Sequence, residues 1–103
     1  MQFEFDNRKL RELYEKGRSS KYRFDAGVLK KFFMRIRQIE AAASIHDLRK
    51  TPALNFEKLR GSEAMFSLRI NDQYRLEVEI DWQNVEKTVG FFHIKEVSKH
   101  YEK

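Results

Sequence analysis

The stretch that decides the fold reads Phe66-Ser67-Leu68-Arg69-Ile70-Asn71-Asp72-Gln73-Tyr74-Arg75-Leu76-Glu77-Val78-Glu79-Ile80. Its apolar side chains recur at every second position on both sides of a short polar segment. This period is typical of β-strands with one buried face, because successive side chains point to opposite faces of a sheet. Keeping both apolar sets on one face predicts an antiparallel hairpin with Asn71-Asp72-Gln73 as its loop and Ile70 opposite Tyr74. In that register Arg69 lies opposite Arg75.

Two arginines that face each other across neighbouring strands are the main chemical signal of the sequence. Like charges in such positions repel, which costs a few tenths of a kcal/mol or more unless an anion lies between them. Guanidinium groups bind phosphate through paired hydrogen bonds and stay charged at physiological pH. We therefore expect Arg69 and Arg75 to hold a phosphodiester on the face turned away from the apolar core. Ordinary cross-strand ion pairs with Glu77 and Glu79 are the alternative.

Two helices are predicted upstream of the hairpin. After a short strand that contains Phe3 and Phe5, a first helix ends at Gly17, and a second spans about 22–43 with apolar residues at helical spacing. The basic residues of the second helix are predicted to form an exposed face, and they are Lys30, Lys31, Arg35 and Arg37. This face is a candidate for contact with RNA or a partner protein, and a merely solvated face is the alternative.

The remaining sequence completes the fold class. A helical turn is predicted around Ile45 and Leu48, ahead of the only proline, Pro52. Residues 88–97 are rich in Phe and Val without simple alternation, which predicts a central strand buried on both faces. We therefore predict an α+β fold in which two N-terminal helices pack on a small antiparallel sheet, with residues 1–103 forming a single domain.

Composition and charge exclude several classes of protein. Lys and Arg number 21 against 16 Asp and Glu, and the whole excess lies in residues 1–60. Clustered cations favour a polyanionic partner such as nucleic acid, or an acidic protein.

The sequence has no Cys and three well-separated His, so we expect no metal and no other cofactor. It also has no apolar run of membrane-spanning length and no signal-peptide pattern, so we expect a cytoplasmic protein without a membrane partner.

Three stretches together resemble the HigB branch of the RelE/ParE toxin superfamily. They are Leu59-Arg60-Gly61, the segment from Phe66 to Leu76, and Glu96-Val97-Ser98-Lys99-His100-Tyr101. The corresponding family stretches look like "L-K-G", "W-S-I-R-V-N-x-x-W-R-I" and a closing "V-D-Y-H". The resemblance covers nearly the whole chain and implies a RelE-like toxin fold.

The resemblance also implies a function. It points to a toxin of a type II toxin–antitoxin system that acts as a metal-independent endoribonuclease, or mRNA interferase. Such a toxin cleaves translated mRNA in the 30S A site of the ribosome, by attack of a ribose 2′-hydroxyl on the adjacent phosphate. Its expected protein partner is an inhibitory helix-turn-helix antitoxin.

Residue roles follow from the same resemblance. Arg69 and Arg75 correspond to phosphate-stabilising arginines, Arg60 to a further phosphate ligand, and His100 to a group that transfers a proton. Neighbouring residues that are candidates for RNA binding or proton transfer are Lys58, Lys99 and Tyr101. Two other functions stay open at this point, a ParE-like inhibitor of DNA gyrase and a degenerate module that binds RNA or an antitoxin without catalysis.

Overall fold

The computed structural model describes residues 1–99, in which three α-helices and a five-stranded sheet are found. In chain order the elements are β1 (Phe3–Phe5), α1 (Arg8–Lys16), α2 (Ala26–Ala41), α3 (Ile45–Arg49), a 3₁₀ turn (Pro52–Leu54), β2 (Glu57–Lys58), β3 (Met65–Arg69), β4 (Tyr74–Trp82) and β5 (Gly90–Lys99). The strands lie side by side in the order β1-β5-β4-β3-β2. These elements confirm the predicted α+β class. No helix of the described residues is long and apolar enough to cross a membrane.

The central hairpin has the predicted register. Arg69 pairs with Arg75 across β3 and β4, and the Ile70 amide donates to the Tyr74 carbonyl oxygen at 2.9 Å. Asn71 shapes the loop, because its side-chain oxygen accepts hydrogen bonds from the backbone amides of Gln73 and Tyr74. The period-two pattern and the loop chemistry therefore specified this hairpin correctly.

Strand β5 is an interior strand of the sheet, between β1 and β4, but its two faces differ. It pairs antiparallel with β4 and parallel with β1, and one face buries Phe92, Ile94 and Val97. The prediction that both faces are buried is wrong, because Phe91 and His93 on the other face are only partly covered. Register shifts between β4 and β5, where Glu77 pairs with Glu96 and Val78 pairs with Ile94. This β-bulge inserts Lys95 and explains why Val97, three residues after Ile94, lies on the same buried face.

One hydrophobic core lies between the helices and the sheet. It includes fully buried residues from α1, α2 and each long strand, among them Leu10, Phe32, Leu68, Val78 and Ile94. The helices cover one face of the sheet, and the polar side chains of the strands lie on the other, which we call the outer face.

The helix ends are set by side-chain caps. Asn7 caps α1 through bonds to two backbone amides, and Gly17 ends it with a left-handed φ of 74°. The second helix is shorter than predicted because Asp25 accepts a hydrogen bond from the Val28 amide and starts the helix at Ala26. The preceding residues are instead held by tertiary contacts, since the Tyr22 hydroxyl accepts a hydrogen bond from the Asn7 side chain.

Helix α2 differs from the prediction at one basic residue. Lys30, Lys31 and Arg37 are exposed, as expected, but Arg35 retains only 6% of its exposure. Arg35 therefore does not belong to the exposed basic face, and it is corrected to a core-facing residue. Its Nε donates to the Arg69 carbonyl oxygen at 2.6 Å and its Nη1 to the Gln38 side chain at 3.0 Å.

We expect Arg35→Met to lower the free energy of unfolding by about 1–3 kcal/mol, because the Arg69 carbonyl loses a buried charged donor. Arg37→Met on the exposed side of the same helix is the matched control, and it should change stability by less than about 0.5 kcal/mol. Urea denaturation of both variants measures the difference. Equal stabilities for the two variants would contradict a structural role for Arg35.

A network of acidic side chains around His93 joins β1 to β4 and β5 on the outer face. His93 Nδ1 lies 3.2 Å from Asp6 Oδ1 and 3.3 Å from Glu4 Oε1, and Nε2 lies 3.1 Å from Asp81 Oδ2. Burial alone would lower the pKa of His93, but hydrogen bonds and charges of Asp6 and Asp81 outweigh it and raise the pKa. Lys95 adds a second cation, with Nζ 3.2 Å from Asp6 Oδ2.

This network predicts a pH-dependent contribution to stability. Because the folded-state pKa of His93 is raised, its contribution is fully present below the unfolded pKa near 6.5 and is lost as pH rises through the folded-state value. The difference in free energy of unfolding between wild type and His93→Gln should therefore shrink from pH 6 to pH 9. Denaturant titrations across this range provide the measurement. His46→Gln is the control, because His46 is an exposed residue of α3. A difference that stays constant would show that the His93 proton is not linked to folding.

Candidate functional site

The arginines singled out in the sequence lie where the ladder between β2 and β3 ends. Strand β2 has only two residues, and Glu57 pairs with Ser67. Continuing this register would bring Asn55 opposite Arg69, but Asn55 adopts a left-handed φ of 40° and leaves the strand. The Arg69 carbonyl is therefore without a strand partner on this side, and Arg35 supplies the missing donor.

Arg75 binds groups at the end of the same ladder from the outer face. Its Nε donates to Ser67 Oγ at 2.8 Å and its Nη2 to the Asn55 carbonyl oxygen at 2.7 Å. Glu57 Oε1 lies 3.4 Å from Nη2, and only 6% of Arg75 is exposed. The expectation that Arg75 is an open phosphate ligand is corrected, because groups of the protein already occupy its guanidinium.

Arg69 is the accessible member of the pair. Its side chain is 41% exposed, and its Nη2 is bound to the carboxylate of Asp72 at the tip of the hairpin loop. Arg75 reaches back along β3 to Ser67, whereas Arg69 reaches forward to Asp72. The two guanidiniums therefore diverge, and the prediction that one phosphate docks between them is wrong.

The two buried guanidiniums still act on Arg69 through their charge. Burial lowers the pKa of Arg35, and the charge of Arg69 lowers it further. Burial also lowers the pKa of Arg75, with Glu57 opposing and Arg69 adding to this effect. Arginine remains protonated at neutral pH despite such shifts. Two buried cations thus lie beside one accessible guanidinium, and this arrangement favours an anion at Arg69.

Other predicted residues lie elsewhere in the structure. Arg60 lies in the connection between β2 and β3, and Lys58 is the last residue of β2, so both lie near Met65, at the opposite end of β3 from Arg69. Met65 and Arg69 are four residue steps apart along β3, or about 13 Å. This connection lines an open depression together with Gly61, and Lys58 Nζ lies 3.1 Å from Glu63 Oε2. The structure therefore does not bring Arg60 together with the strand arginines.

The candidates near the C-terminus and those on α2 also lie in different parts of the structure. Lys99 pairs with Tyr74, so it lies at the sheet end that carries Arg69. Lys30, Lys31 and Arg37 lie on the exposed side of α2, across the helix layer from the outer face. His100 and Tyr101 lie outside the described residues.

The sequence does not predict the contacts that Asp72, Ser67 and Asn55 make in the site. Asp72 lies in the predicted hairpin loop, and a carboxylate three positions after Arg69 across a tight loop is a usable signal for their ion pair. Ser67 and Asn55 carry no comparable signal, because their contacts with Arg75 depend on how β2 departs from the sheet.

Metal-ligand residue types come together at one place in residues 1–99. Ligand atoms of Glu4, Asp6 and His93 lie within 4.8 Å of one another. Lys95 already contacts Asp6, and the raised pKa of His93 favours an imidazolium, which repels a cation. We interpret this cluster as an ion-pair network of the fold.

Comparisons with known proteins identify the family. Residues 3–91 match the family model described as the RelE-like toxin of type II toxin–antitoxin system HigB. No curated protein matches. The fold is similar to that of a YoeB/ParE toxin from Agrobacterium tumefaciens, with a TM-score of 0.57, 17% identity, and coverage of 98% of this chain and 100% of that chain. The family match over most of the sequence and the matching fold lead to one conclusion: the chain belongs to the HigB-like family of RelE-like toxins of type II toxin–antitoxin systems.

Proposed function

We propose that the chain is a ribosome-dependent endoribonuclease that cleaves translated mRNA by 2′-hydroxyl attack on the adjacent phosphodiester. Membership of a toxin–antitoxin family implies an antitoxin partner, which we propose to be a helix-turn-helix protein. The single observation that carries the nuclease proposal is the accessible Arg69 guanidinium beside two buried ones. Fixed positive charge of this kind stabilises the charge that develops on a phosphate during cleavage.

The residues have different roles in this proposal. Arg69 contacts the scissile phosphate, whereas Arg75 and Arg35 are positioning residues, since they hold β3 through Ser67 and the Arg69 carbonyl. Lys99, at the same sheet end, contacts the RNA backbone.

Proton transfer and distant RNA contacts are assigned by resemblance alone. His100 transfers a proton, because an imidazole titrates near neutral pH whereas Arg does not release its proton. Arg60 and Lys58 bind RNA at the other end of β3, away from the scissile group.

Mapping of mRNA ends in a translating extract tests the activity. Addition of the toxin should produce new 5′ ends within translated codons and none in mRNA whose translation is blocked. Intact mRNA with arrested supercoiling would instead indicate a gyrase inhibitor. Intact mRNA with normal supercoiling would indicate a binding module without catalysis.

Arg69→Ala should reduce the cleavage rate by about 10²- to 10³-fold, the effect of removing one donor to a developing anion. Thermal unfolding of the variant should remain close to that of wild type, because the side chain pairs only with an exposed loop carboxylate in the described part of the chain. Arg11→Ala, on the exposed surface of α1, is the matched control. Full activity of folded Arg69→Ala would contradict the proposed site.

His100→Gln should reduce cleavage by about 10²- to 10⁴-fold, because it removes the proposed proton-transfer group. It should also remove an ionisation near neutral pH from the pH–rate profile, while His46→Gln leaves the profile unchanged. A wild-type profile in folded His100→Gln would assign proton transfer to another residue.

A further inference from the structure

The accessible arginine carries its own counter-ion. Asp72 lies at the tip of the β3–β4 loop, its side chain is 84% exposed, and its carboxylate binds Arg69 Nη2. The loop holds Asp72 in place, because Asn71 accepts hydrogen bonds from the amides of both Gln73 and Tyr74. The hydrogen-bonded turn thus positions Asp72 next to Arg69.

The neighbouring arginines are not available to Asp72 or to any other anion. Arg75 is engaged by Ser67, the Asn55 carbonyl and Glu57, and Arg35 donates to backbone carbonyls and to Gln38. All acceptors that Arg35 reaches in residues 1–99 are neutral, so its charge adds to the positive potential near Arg69. An anion attracted to this end of the sheet therefore meets Arg69 and finds Asp72 already bound.

We propose that Asp72 is an intramolecular competitor that occupies the anion site of Arg69 until an RNA phosphate displaces it. The inference rests on the proposed function, since it takes RNA phosphate as the incoming anion. An ion pair between exposed side chains is weak, so it can be exchanged. A phosphate diester offers a guanidinium the same paired oxygen geometry as a carboxylate.

This contact lowers RNA affinity in proportion to the stability of the Arg69–Asp72 pair. Removal of the carboxylate charge should therefore tighten RNA binding at this site. The effect should require Arg69, because the competitor acts only through that guanidinium.

Fluorescence anisotropy with a short single-stranded 2′-O-methyl RNA tests the proposal, because this probe binds but offers no 2′-hydroxyl for attack. Asp72→Asn should bind the probe about twofold to fivefold more tightly than wild type, the range expected from loss of an exposed ion pair. Asn suits the same turn position, so the loop is preserved. Thermal unfolding verifies that the variant folds.

Glu15→Gln is the matched control for net charge. It removes an exposed carboxylate from α1, with the same charge change but no ion pair with Arg69 or with a proposed RNA ligand among residues 1–99. Its affinity should change less than twofold. Equal tightening by Asp72→Asn and Glu15→Gln would overturn the proposal, because it would show a general charge effect.

The double variant completes the test. In an Arg69→Ala background, Asp72→Asn should have no effect beyond that of Glu15→Gln, whereas persistent tightening would overturn the competitor role. Binding and cleavage separate the two proposals. RNA binding that depends on Arg69, without mRNA cleavage, would refute the nuclease proposal and leave the competitor role of Asp72 intact. Cleavage that needs Arg69, with RNA affinity unchanged by Asp72→Asn, would refute the competitor role and leave the nuclease proposal intact.

Discussion

The end of the ladder between β2 and β3 is the constraint on which the rest of the site depends. Strand β2 is too short to pair with the whole of β3, so backbone carbonyls at Asn55 and Arg69 would lack strand donors. Backbone carbonyls without a hydrogen bond are costly where protein covers them, and two guanidiniums satisfy these partly buried carbonyls from opposite faces of the sheet. Arg35 comes from the helix layer and Arg75 from the outer face.

Burying two cations beside a third is unfavourable unless each finds acceptors. Arg35 is held by neutral oxygens and Arg75 by a hydroxyl, a carbonyl and one partly exposed carboxylate. Their positive charge is therefore only partly compensated, and the fold keeps it at one end of the sheet. The same contacts that complete the ladder thus create the electrostatic field in which Arg69 acts.

The outer face is electrostatically divided along its length. The strand arginines lie at the hairpin end, whereas Glu4, Asp6 and Asp81 surround His93 near the other end of β4 and β5. This acidic network joins β1, which has only three residues, to the centre of the sheet. Its carboxylates are paired with His93 and Lys95, so the positive charge that is only partly compensated lies at the arginine end of the outer face.

The amino-acid pattern is enough to predict the α+β class, the hairpin, its loop and the pairing of Arg69 with Arg75, because period-two alternation leaves few registers that keep one face apolar. The order of short stretches along the chain also identified the toxin family. Which arginine is accessible depends instead on tertiary packing. Arg35 and Arg75 look like surface cations in a linear pattern, and they become buried because β2 leaves the sheet at Asn55 and exposes carbonyls that need donors. The period-two pattern predicts which face of the sheet a side chain lies on. Its hydrogen-bond partners on that face depend on where the neighbouring strand ends, and the pattern does not contain that information.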